Sequence, residues 1–115
     1  MQNVVFVGRL AGDPEISSFG EGRSKAIFRL LENRGKDKDD NDRVVGVNCV
    51  SWSHGLNEKV IAGGLAKGCE AMVIGYFIDN SWQGQDGKTH YGKELVVERL
   101  RVLDWAARAD QRLAA

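Results

Sequence analysis

The sequence predicts an all-β fold: a small five-stranded OB-type barrel with one helix between strands 3 and 4 and a short C-terminal helix. Three observations predict it. Runs rich in β-branched and aromatic residues recur along the chain and alternate as strands do. One helical pattern stands alone, between the third and fourth runs. Two polar stretches, NRGKDKDDNDR and QGQDGK, lie between paired runs as hairpin tips do. Composition alone fits other small α+β domains as well; the helix position and the two hairpins favour the barrel.

The first strand is Val4 to Leu10, and Ala11-Gly12-Asp13-Pro14 ends it, because proline cannot continue a central ladder. Ser17 to Ser24, rich in Gly and Ser, reads as a turn. Lys25 to Glu32 is the second strand, with Ala26, Phe28 and Leu30 on one face and Ile27, Arg29 and Leu31 on the other. Asn33 to Arg43 is too hydrophilic to pack and is expected as an exposed hairpin tip. Val44 to Ser53 is the third strand. Asn57 is expected as a helix N-cap, with Val60, Ile61 and Leu65 on the buried side. Gly63 and Gly64 each weaken that helix by about 1 kcal/mol relative to alanine. Gly68 fits its left-handed stop. Ala71 to Ile78 is the fourth strand and Thr89 to Leu103 the fifth, long enough to need a bend, expected at Gly92. Asp104 is expected to cap a terminal helix from Trp105 to about Leu113. The division expected is one domain over 1–103 and a short helix or tail over 104–115.

At 115 residues the chain suits one domain, and 43% apolar with 28% charged residues is ordinary globular composition. No apolar run approaches the ~20 residues that span a bilayer, so no membrane partner is expected. The opening MQNVVFVGRL has no basic region or small-residue cleavage site, and a cytoplasmic protein is expected. Cys49 and Cys69 lack the pairing and neighbours of a disulfide framework or a zinc site. No phosphate loop, nucleophile elbow or convincing triad occurs, so neither an enzyme nor a cofactor is expected. Sixteen basic and 16 acidic residues cancel, which removes any global attraction for nucleic acid.

Three stretches carry a family resemblance. MQNVVFVGRLAGDPE over 1–15 resembles the opening of bacterial single-stranded DNA-binding proteins, whose pattern is N-x-V-x-L-x-G-x-L-x-x-D-P-E. LAKGCEAMVIG over 65–75 resembles that family's L-x-K-G-x-x-V-x-V-x-G. WQGQDGKTHYGKELVV over 82–97 resembles its W-x-D-x-x-G-x-x-x-Y-x-x-E-V-V-V hairpin. The likeness extends over about residues 1–103. It implies an OB-fold that forms homo-oligomers, dimers through the first strands and usually tetramers, with single-stranded DNA as partner. It also implies possible replication or recombination proteins as further partners. Bases would stack on aromatic rings at ~1–3 kcal/mol each, without sequence preference. Phosphates would meet Lys and Arg, a salt-dependent term.

The resemblance makes Trp82 and Tyr91 candidate DNA contacts on the last hairpin, where cross-strand packing of the two on each other is the competing role. Asn48 and His54 stand where the family has a stacking tryptophan and phenylalanine. Trp52 falls between them on the same face and is the candidate replacement, with a place in the barrel wall as the alternative. Lys88 and Lys93, with His90, are candidate phosphate contacts on the hairpin. Arg34, Lys36 and Lys38 share the 33–43 tip with Arg43 and with Asp37, Asp39, Asp40 and Asp42, so the charges cancel locally. Arg9 and Arg29, on outer strand faces, complete the candidate groove.

Three departures from the family pattern stand out, the first two weighing against tight wrapping and the third against recruitment of partner enzymes. Gly35 stands where the family usually carries a tryptophan, Asp79 where it often carries a cation, and 104–115 has no acidic, phenylalanine-terminated tail. The competing function is an OB-fold assembly module, resembling the primosomal replication protein N family, with Phe77, Ile78 and Leu113 exposed as its interface.

Overall fold

The structure is a computed structural model and describes residues 3–105. Six strands make one sheet: β1 (Val4–Leu10), β2 (Glu15–Gly20), β3 (Arg23–Lys36), β4 (Asp42–Ser51), β5 (Glu70–Gln83) and β6 (Thr89–Asp104). A single turn of α-helix, α1 (His54–Leu56), runs into a π-helical segment, Asn57–Ile61, between β4 and β5. The strand order is β1-β5-β6-β4-β3-β2, and β1 also pairs with β3. That last pairing joins Arg9 to Leu31 and Leu10 to Leu30. The pairings therefore run β1-β5-β6-β4-β3 and back to β1, with β2 added along the outside of β3. β4 and β6 pair in parallel, Asn48 to Glu94 and Val50 to Val96; the other pairs are antiparallel.

Period-two alternation builds the core. Ala26, Phe28 and Leu30 of β3 share one face as expected; that face points inward, where they meet Leu10, Val47, Cys49, Ala71, Val73, Leu95 and Val97 from the neighbouring strands. Ile61 and Leu65 close one end of this cluster.

Five expectations change. Glu15–Gly20, part of which reads as a turn, is a strand; all six of its residues are exposed, so backbone pairing with β3 makes it and no burial pattern announces it. The turn itself is only the step from Gly20 to Arg23, where Gly20 and Gly22 take positive φ of 132° and 71° that other residues resist. The polar tip is shorter than 33–43, because β3 and β4 remain paired as far as Lys36 and Asp42. Asp37 closes it by accepting the Asp39 and Asn41 N–H groups at 2.9 and 3.0 Å.

The helix N-cap is Ser53, whose Oγ accepts the Leu56 N–H at 3.3 Å. Asn57 is buried instead, donating from Nδ2 to Ser24 Oγ at 3.0 Å and to the Ser51 carbonyl at 3.2 Å. Gly63 and Gly64 lie beyond the helix, and Gly68 serves the turn into β5, donating to the Leu10 carbonyl at 3.0 Å. The bend of the last hairpin is at Gly75, not Gly92. There Ile74 pairs with Arg99 and Gly75 with Val97, so Glu98 is an extra residue. A Cβ on Gly75 would fall on the Val96 carbonyl, so only glycine fits. Asp104 is the last residue of β6. The expected terminal helix lies, after Trp105, outside the described residues.

Candidate nucleic-acid interface

Register decides which side chains share the sheet's outer face. Val50 is paired with Ile27 on one side and Val96 on the other, and Val96 with Tyr76. Stepping by two from these places Lys25, Ile27, Arg29, Asn48, Glu94, Ile78, Asn80, Trp82 and His90 on that face. Trp52, one residue past the end of β4, continues it. The middle of the face mixes exposed Ile27, Tyr76 and Ile78 with polar Arg29, Asn48, Asn80 and Glu94, and an aromatic pair stands at each end. In the middle Arg29 donates to Asn48 Oδ1 at 2.8 Å, and Asn80 to Glu94 Oε1 at 2.6 Å.

At one end Trp82 stacks on His90, centroids 5.6 Å apart and planes at 21°. Cross-strand register makes this pair, so the partner of Trp82 is His90, while Tyr91 stands opposite Ser81. The absent side chain of Gly92 makes room: a Cβ there would lie 3.2 Å from the Trp82 ring. Trp82 keeps 51% of its surface exposed. At the other end Trp52, 56% exposed, stacks on Phe19, centroids 6.4 Å apart and planes at 26°. Neither tryptophan is buried in the core. Both present a ring with open area to solvent.

The basic candidates divide by what already holds them. The Arg9 guanidinium donates to the Gly68 carbonyl at 2.9 Å and lies 3.6 Å from Asp104 and 3.9 Å from Glu70. Arg34 is bound to Glu32 at 2.7 Å, and Lys36 lies 3.7 Å from Asp40. Lys38 and Lys88 are exposed at the two hairpin tips, without an ion-pair partner among the described residues. Lys93 pairs in register with Asp79, on the opposite face from Trp82. His54 begins α1 and is tethered at both ring nitrogens, Nδ1 to Ser24 Oγ at 3.0 Å and Nε2 to Glu58 at 3.1 Å. Two residues after Trp52, it is held in place rather than being a loose ring.

Sequence reasoning missed Phe19, Arg23 and Lys25. Lys25 Nζ lies over the Trp52 ring, 4.9 Å from its centroid. The missed signal was a lone phenylalanine immediately before Gly-Glu-Gly. Phe77, expected at an exposed interface, packs against the core cluster; Ile78 is exposed, and Leu113 lies outside the described residues. Burial pushes the Cys49 thiol up to about 12, so it stays protonated near neutral pH and has no nucleophile to offer.

Comparison with known proteins fits this geometry. The family model described as the single-strand binding protein family matches residues 1–103. A single-stranded DNA-binding protein of Enterococcus faecalis is 31% identical over 97% of this chain and 59% of its own length. One from Clostridium perfringens is 34% identical over 90% of this chain and 67% of its own. One from Bacillus cereus is 33% identical, and there the chain spans 61% of the relative's length. The chain thus spans about three-fifths to two-thirds of the length of these relatives. A chain from the Plasmodium falciparum SSB complex with ssDNA superposes with a TM-score of 0.78 over 90% of this chain and 96% of that one, at 19% identity, which shows a shared fold. With a family model matched over residues 1–103, about nine-tenths of the sequence, this chain belongs to the single-strand binding protein family.

Proposed function

We propose that this chain is a non-enzymatic protein that binds single-stranded DNA with little sequence preference, on the outer sheet face between its two aromatic pairs. The observation that carries this is the placement of two half-exposed tryptophans, Trp52 and Trp82, on that one face. Every base has a flat face to lay on an indole, so such sites hold a strand whatever its sequence. Tyr91, next to His90 on β6 but out of step with this face, is a secondary stacking candidate in this reading, and His54, held by Ser24 and Glu58, is a supporting one. Lys88 and Lys38 are the phosphate contacts least compromised by neighbours, with Arg34, Lys36, Arg9 and Lys93, which stands across the ladder from Asp79, as weaker ones. The circuit of pairings β1-β5-β6-β4-β3 is read as a closed five-stranded OB barrel, with β2 as an accessory strand.

The exposed Val5 and Val7 on β1 support association of copies through that strand, into a dimer or tetramer. Light scattering with and without oligo-dT measures that mass. The role follows from the binding: covering and organising unpaired DNA in the cytoplasm during replication, recombination or repair.

The direct test is Trp82→Ala, measured by anisotropy of labelled oligo-dT. Loss of one stacking platform at ~1–3 kcal/mol lowers affinity about 5- to 150-fold. Unchanged affinity in a folded Trp82→Ala protein removes this end of the face from the site.

A further inference from the structure

We propose that the turn between β2 and β3 forms a distinct subsite for one unpaired nucleobase and its flanking phosphate, built by Phe19, Trp52, Arg23 and Lys25. This rests on the single-stranded DNA reading and adds to its Trp52 end three residues that the sequence did not single out, Phe19, Arg23 and Lys25.

The geometry starts with a bulge. The β2–β3 register shifts between Ser18 and Gly20, so Phe19 has no partner across the ladder. Bulges re-aim side chains, and here the ring is delivered onto Trp52 rather than into the core. Both rings stay more than half exposed, at 59% and 56%. Packing alone does not explain so costly an arrangement of two large apolar rings at the margin of an edge strand.

Beside the rings lies an open hollow lined by Phe19, Gly22, Arg23, Ser24 and Trp52. Its floor is small: Gly22 has positive φ and open space where a Cβ would be. A flat heterocycle can therefore approach the ring edges and backbone without displacing a side chain. The hollow is rimmed by cations. Neither Arg23 nor Lys25 has an ion-pair partner among the described residues, unlike Arg9, Arg34 and Lys36. Lys25 rests on the Trp52 ring. An exposed cation–π contact is weaker than a base stack, and the lysine stem is flexible, so an arriving base takes the ring while the ammonium moves to its phosphate. A flat apolar platform with two unneutralised cations at its rim fits an anionic strand with exposed bases, and it offers no fixed hydrogen-bonding edge that would select one base.

The test uses the full chain labelled with fluorotryptophan, whose three indoles give separate fluorine resonances. Trp52→Phe assigns the Trp52 line. Addition of oligo-dT is expected to shift that line in step with the rise in anisotropy. Phe19→Leu keeps an apolar contact for Trp52 but removes the second ring, and is expected to lower oligo-dT affinity about 5- to 150-fold. Phe19→Tyr restores a ring and is expected to recover most of that loss. If anisotropy rises while the Trp52 line stays still and Phe19→Leu binds normally, the subsite is refuted and the binding reading survives at the Trp82 end. If wild-type protein gives no anisotropy change at all, both readings fall together.

Discussion

The β2–β3 turn and the β3–β4 tip are both polar, exposed hairpin ends, yet electrically they are unlike. At the tip Arg34 is held by Glu32 and Lys36 lies near Asp40. At the turn Arg23 and Lys25 have no ion-pair partner among the described residues, and Lys25 leans on an indole. The tip holds the denser run of cations, four among eleven residues, and is the first place a charge count looks for phosphate contacts. The difference teaches that a cation is available to a phosphate only to the extent that no carboxylate already holds it. An exposed ion pair adds ~0–1 kcal/mol to stability, but a strand must undo it before the counterion term appears.

The sharpest way to break this contrast is to remove the cations in pairs and read the salt dependence. Each single-strand phosphate contact contributes about −0.7 to the slope of log affinity against log salt. Arg23→Ala with Lys25→Ala is therefore expected to flatten that slope by about 1.4 in an oligo-dT titration. Arg34→Ala with Lys36→Ala is expected to flatten it by less than half as much. Equal changes from the two pairs would show that the tip's carboxylates do not hold their cations in solution, and the contrast would be lost.

The same contrast marks how far the sequence could be read. Inward alternation at Ala26, Phe28 and Leu30 was legible because burial imposes a period of two on those positions. β2 was not, because none of its residues is buried and its existence depends on a neighbour's backbone. With β2 taken as a turn, Phe19 had no face to belong to and Lys25 no indole to lie on. Trp82 was legible through the family resemblance of its hairpin and Trp52 through strand parity with Asn48, and both stand half-exposed on the outer face. Their partners were harder, since His90 rather than Tyr91 sits across from Trp82 by the register of the whole β5–β6 ladder. Arg9 looked available because Glu70 and Asp104, both far along the chain, come beside it only through the β1–β5–β6 pairing. The same physics misplaced the helix cap: Asn57 is a capping residue by type, but Ser24 and Ser51, more distant in sequence, bury it.

The finest test of the contrast frees a cation without deleting one. Lys36 and Asp40 are 3.7 Å apart and Asp40 is largely exposed, so this is the looser of the tip's two pairs; Arg34 and Glu32 are at 2.7 Å. Asp40 has φ of +66°, a conformation that alanine resists and asparagine tolerates nearly as well as aspartate. Asp40→Asn therefore removes the charge while leaving the turn intact, whereas Asp40→Ala would mix charge with backbone strain. With its carboxylate gone, Lys36 is free for a phosphate. The salt slope is expected to steepen by at most about 0.7, with affinity rising most at low salt, where screening is weakest. Asp86→Asn at the other tip is the matched control, because its carboxylate lies 3.3 Å from His90 and pairs with no lysine. A steeper slope in Asp40→Asn but not in Asp86→Asn assigns the effect to a released lysine. A matching rise in both would assign it instead to the loss of one negative charge anywhere on the surface.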